Sequence, residues 1–214
     1  MMPGACAPRA SRPAGCGSGP GSACRTPGFD DLDSYGAIVE HYRHEFLPEV
    51  EAEAAFYGDR TQTPAGAIKR ACLSLLEGGG LHDHQHRIGY QGMAAAANFI
   101  EPHADALIAA ADFAELHFRV AALAAELPRI GELAIYDIAQ RIGWYRGIEP
   151  AEVYLHCGAL EGAKALVPQL RGKTVSVAQL PLALHALTPA QLEDVLCLYK
   201  AVLKRLAAGD RRGS

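Results

Sequence analysis

The residues best placed to do chemistry lie between positions 127 and 164. Leu127-Pro128-Arg129-Ile130-Gly131 ends one apolar run, and Glu132-Leu133 opens another. A glycine turn ahead of a helix leaves the first N–H groups of that helix without intrahelical acceptors. The helix dipole favours an anion at that end. Gly131 lets a phosphate come close to the backbone, and Arg129 can add a charge-assisted hydrogen bond. Ile130 reads as an apolar plug, with Ala134 as a small packing residue. Arg129, Ile130, Gly131, Glu132 and Leu133 are therefore candidate contacts to a phosphate backbone, a mode of binding that reads no bases. The same pattern also suits a purely structural turn between two helices.

Tyr154, His156 and Lys164 are candidates to line a pocket near this turn, because His carries protons near neutral pH. The other reading of His156 is a half-buried, hydrogen-bonded residue at a helix end. Asp137 is a fourth catalytic candidate, although with Arg141 it makes an i, i+4 pair expected to be a surface salt bridge. His82-Asp83-His84-Gln85-His86-Arg87 is the densest polar run. His84, His86 and Arg87 are candidates to touch phosphate or substrate; a solvated loop between helices is the plainer reading. No third and fourth ligand accompanies the two histidines, so no metal is assigned, and no cofactor is implied. There is no P-loop, dinucleotide fingerprint, nucleophile elbow or zinc-protease helix. The six cysteines form no C-x-x-C pair and match no structural zinc spacing.

The elements that must position these groups read as helices. Ser34 caps a helix over about 35–57, which Pro48 is placed to kink. Thr63-Pro64 opens another that stops at Gly78-Gly79-Gly80. Further helices are expected over 92–100, 102–111 and 112–126. The second hairpin helix follows Gly131, and Pro150 is expected to open another. A short helix covers 160–169, and residues 173–177 read as extended. The last helix, over 189–207, carries Leu192, Val195, Leu196, Tyr199, Val202 and Leu203 on one stripe. Glu193, Asp194, Lys200 and Lys204 fall off that stripe and read as solvent-facing.

Among 214 residues, half are hydrophobic and 21% charged. That supports a core and excludes wholesale disorder. There are 39 Ala but only 8 Tyr, 6 Phe and 1 Trp, a balance that favours helix over β-sandwich. The expected fold is all-α: a compact helical bundle over 30–208 behind a disordered, Pro/Gly/Ser-rich tail at 1–29. No stretch is apolar enough to span a membrane. The absence of a signal peptide points to the cytoplasm. Net charge is −4, divided as +3 over 1–28, −10 over 29–126 and +3 over 127–214. A polyanion should therefore meet the C-terminal part. The acidic N-terminal half is left for a protein partner.

The turn and its flanks, over about 113–143, resemble a helix-hairpin-helix motif, with Arg129 where the motif carries its first glycine. Residues 113–160 also look like part of the helix-hairpin-helix DNA glycosylases. In that superfamily the hairpin is followed by a Val-Asp-x-His stretch, here Val153-Tyr154-Leu155-His156. Tyr154 stands in place of the catalytic Asp, and Leu133 in place of the Lys of bifunctional members. The resemblance implies an all-helical, DNA-directed protein whose catalysis has changed or been lost. The segment 127–200 further looks like uncharacterised bacterial helix-hairpin-helix proteins. Two other functions fit the residues: a small-molecule or nucleotide enzyme using Tyr154, His156 and Lys164, and a non-enzymatic interaction module.

Overall fold

The computed structural model describes residues 28–76, 80, 85 and 88–213, with side chains described up to residue 209. The expected tail therefore lies outside the described residues, except for Gly28 and Phe29. The all-α expectation holds. The helices are α1 (Tyr35–Glu45), α2 (Leu47–Tyr57), α3 (Pro64–Leu73), α4 (Gly89–Ile100), α5 (Ala104–Ile108), α6 (Phe113–Ala124), α7 (Glu132–Arg146), α8 (Cys157–Leu166), α9 (Pro189–Leu198) and α10 (Lys200–Gly213). Two dipeptides, β1 (Val153–Tyr154) and β2 (Thr174–Val175), pair antiparallel. No described helix is long and apolar enough to cross a membrane.

Local chemistry explains most boundaries. Ser34 Oγ accepts from Ala37 N–H, and Thr63 Oγ1 from Gly66 N–H. Thr188 and Gln191 form a reciprocal capping box. Each cap satisfies donors that no helical carbonyl can reach. Pro48 falls in the first turn of α2, where a missing N–H costs nothing. The expected 35–57 helix accordingly divides at Phe46. The last helix divides likewise, at Tyr199.

Three expectations about the elements are corrected. The helix opened by Thr63-Pro64 stops at Leu73, ended by Ser74 at a left-handed φ of +56°, not at Gly78-Gly79-Gly80. Pro150 does not open a helix; residues 153–154 are extended, and α8 starts only at Cys157. The reason is alternation. Val153 and Leu155 point into a core shared by α1, α8, α9 and α10, whereas Tyr154 packs on a second core built from α3 to α7. Opposite faces one residue apart are a strand's geometry. Phe29 does not belong with the tail: it sits in a 3-10 turn over Phe29–Asp31, against His41, Phe46 and Tyr199.

α8 and α9 meet unusually closely. A methyl added to Gly162 would lie 2.0 Å from the Leu196 carbonyl oxygen, and one on Gly158 would lie 2.6 Å from Cys197 Sγ. Only residues without a Cβ fit there.

Candidate functional site

α6 and α7 form the hairpin. Asp112 caps α6 by accepting from Glu115 N–H at 2.8 Å. Leu127 and Ile130 pack against the α3–α7 core, and Ala134 is buried. Arg129 takes a left-handed φ of +72°. A side-chain-bearing residue rarely adopts that conformation, and it falls where the resembled motif places glycine. Pro128 before it completes the sequence pattern of a type II turn. Gly131 is the N-cap of α7, extended and without a side-chain cap. The N–H groups of the first turn receive no bond from it.

Two residues near this turn escaped the sequence reading. Lys173, entering β2, is ion-paired with Glu132 at the first position of α7. His117 of α6 lies against Tyr154, ring centroids 4.6 Å apart. Burial pulls the His117 pKa below its ordinary value, with Glu132 and Lys173 acting on it in opposite directions. Tyr154 is half-buried, and burial pushes its phenol up. Asp112, at the opposite end of α6 from the turn, adds to the upward push on Tyr154. Leu133 is half-buried, whereas Arg129, Gly131 and Glu132 are exposed. Lys173 was not legible because it reaches the turn from a separate segment.

Below the mouth the two cores meet along a polar seam. His156 is buried, its ring 5.2 Å from Tyr136 and its Nε2 3.3 Å from Glu193 Oε1. Tyr154 lies against the same Tyr136 ring. Lys164 is exposed in the last turn of α8. The structure thus brings Tyr154 and His156 together around Tyr136. A pocket of about 60 Å³ lies elsewhere, lined by Tyr42, Phe46, Glu49, Val50, Glu53, Asp194 and Leu198. It includes none of Tyr154, His156 and Lys164.

The expected Asp137–Arg141 surface pair is not one. Asp137 is 0% and Arg141 1% exposed. Arg141 Nη1 donates to Ser74 Oγ at 2.6 Å, and its Nε to Glu53 Oε1 at 3.3 Å. Its guanidinium lies 5.1 Å from the Tyr57 ring centroid. Asp137 accepts from Gln85 Nε2 at 2.8 Å. Both residues fall on the same helical face as Ile138 and Ile142, which was the signal available in the sequence. Glu193 and Asp194 are likewise buried rather than solvent-facing. Tyr42 donates to Asp194 Oδ2 at 2.9 Å. A buried carboxylate needs such partners because desolvation is costly.

His84, His86 and Arg87 lie outside the described residues. Gln85, between them, is buried against Asp137. No group of three or more His, Cys, Asp or Glu among the described residues is arranged to hold a metal ion. No family model, curated protein or solved structure matches the chain.

Proposed function

We propose that this protein grips the phosphate backbone of duplex DNA at the α6–α7 turn, without reading bases. The observation that carries the proposal is Arg129 at φ +72°, followed by Gly131 as an N-cap with no side-chain cap. The chain tolerates a strained arginine where glycine would be easier. Arg129 stands two residues ahead of the N-cap of a fifteen-residue helix, whose first N–H groups and positive dipole end favour an anion. Lys173 adds a second cation at the same end, presently held by Glu132. A phosphate entering here would compete with Glu132 for Lys173 and for the helix dipole. Base excision is not part of the proposal, since the positions of the resembled catalytic Lys and Asp hold Leu133 and Tyr154. A cytoplasmic, DNA-repair-like setting goes with it.

The test is binding to short duplexes as a function of salt. One hairpin contacts few phosphates, so the logarithmic salt slope should be about −2 to −4. Arg129→Glu should weaken all duplexes about equally, because phosphate contacts carry no sequence information. Absence of binding by the wild type at low salt, or a loss confined to one sequence, would refute the proposal.

A further inference from the structure

Cys157 and Cys197 lie 40 positions apart in sequence, yet the close contact of α8 and α9 sets Cys197 against Gly158, the neighbour of Cys157. Cys197 Sγ rests over Gly158, where an added methyl would stand 2.6 Å from the sulfur and 3.5 Å from Cys197 Cα. Cys157 directly precedes Gly158, their Cα atoms about 3.8 Å apart. It begins α8, at φ +41°. Cys157 is exposed and Cys197 half-buried, and neither is disulfide-bonded. Lys200 Nζ comes within 3.5 Å of the same methyl position. Helix N-termini and nearby ammonium groups favour thiolate over thiol. Cys72 forms the contrast: it is fully buried, and burial pushes its thiol up to about 12.

We propose that Cys157 and Cys197 are a peroxide-responsive dithiol, with Cys157 attacking and Cys197 resolving. The Cys157 thiolate sulfur attacks one oxygen of hydrogen peroxide. The O–O bond breaks, sulfur becomes a sulfenic acid, and the departing hydroxide takes up a proton as water. The Cys197 thiol then loses its proton, and its sulfur attacks the sulfenic sulfur. The S–S bond forms, the S–O bond breaks, and hydroxide again leaves as water. Two thiols give up two hydrogens and two electrons, and one peroxide is reduced to two waters. The disulfide would tie the first turn of α8 to α9, at the point where the glycines already let the helices touch. An exposed attacking thiol beside a resolving one is the arrangement that stops oxidation at a reversible stage.

The test uses the reduced full-length chain, treated with hydrogen peroxide, alkylated and digested without reductant. The expected result is a Cys157–Cys197 linked peptide, two alkylatable thiols lost, and both recovered with dithiothreitol. Cys157→Ser and Cys197→Ser should each abolish that peptide, and Cys72 should be alkylated only after unfolding. Three outcomes would overturn the proposal. Cys157 could remain fully alkylatable under peroxide that oxidises a glutathione control. It could advance to sulfinic acid with Cys197 untouched. It could pair instead with Cys6, Cys16 or Cys24. The linked-peptide map of the wild type decides the matter even if a serine variant folds poorly.

Discussion

Gly162 of α8 faces the carbonyl of Leu196 of α9 so closely that a single added methyl would stand 2.0 Å from the oxygen. The obstacle is backbone, which cannot swing aside as a side chain can. Gly162→Ala should therefore destabilise by at least the 1–3 kcal/mol typical of overpacking. Gly131→Ala is the control: its backbone is extended, and nothing lies within 4 Å of the added methyl. Thermal melts should show a large drop for the first and little change for the second. Equal melting temperatures would mean that α8 and α9 are not in contact.

Arg141 offers a sharper test of the polar seam. An exposed i, i+4 pair contributes about 0.3–0.5 kcal/mol. Removing one partner of a buried pair costs about 3–5 kcal/mol, because the other charge stays behind unpaired. The Arg141 side chain is fully buried, and Glu53 is only 18% exposed. Arg141→Ala should thus fall near the larger figure by denaturant unfolding. Adding Glu53→Gln should recover part of the loss, since it removes the stranded carboxylate.

Leu196, wholly buried mid-stripe in α9, tests the same contact from the other side. Losing its burial costs about 2–5 kcal/mol, and a carboxylate there adds a desolvation penalty. Against a total of about 5–15 kcal/mol for a domain, Leu196→Asp should leave the chain largely unfolded by circular dichroism.

Arg129→Gly separates the two consequences of the strained turn. A left-handed side-chain-bearing residue costs about 1–2 kcal/mol, and glycine removes that cost while raising unfolded-state entropy by a smaller amount. The variant should be slightly more stable than wild type, yet bind duplex more weakly for want of the guanidinium. A variant that loses both stability and binding would mean that Arg129 supports the turn through its side chain.

His117 provides a pH signature. Its folded pKa lies below the ordinary value, because burial disfavours the charged ring. The unfolded chain therefore binds the proton more readily. Stability from this group is present above the unfolded pKa of about 6.5 and is lost as pH falls through the folded pKa. His117→Gln should flatten that part of the stability profile. Binding should run the opposite way: a phosphate at the hairpin mouth favours the imidazolium, so affinity should rise as pH falls, and the variant should lose this rise.

The helical class, the caps at Ser34, Thr63 and Thr188, the αα-hairpin and the stripe of α9 were all legible in the sequence. Each depends on residues within a few positions of one another, where periodicity and side-chain-to-backbone hydrogen bonds decide. What packs across the chain was not legible. Residues 153–155 look helical until two cores claim alternate side chains. Asp137 and Arg141 read as a surface pair until Gln85, Glu53 and Ser74 arrive from elsewhere. Lys173 stands far from Gly131 along the chain and close to its helix in space. Gly158 and Gly162 carried a sequence trace of such a contact, a pair of small residues one turn apart. Local free energies choose the elements. Burial and desolvation act between segments distant in sequence, so only the tertiary structure decided which charges were interior and which groups gathered at the hairpin.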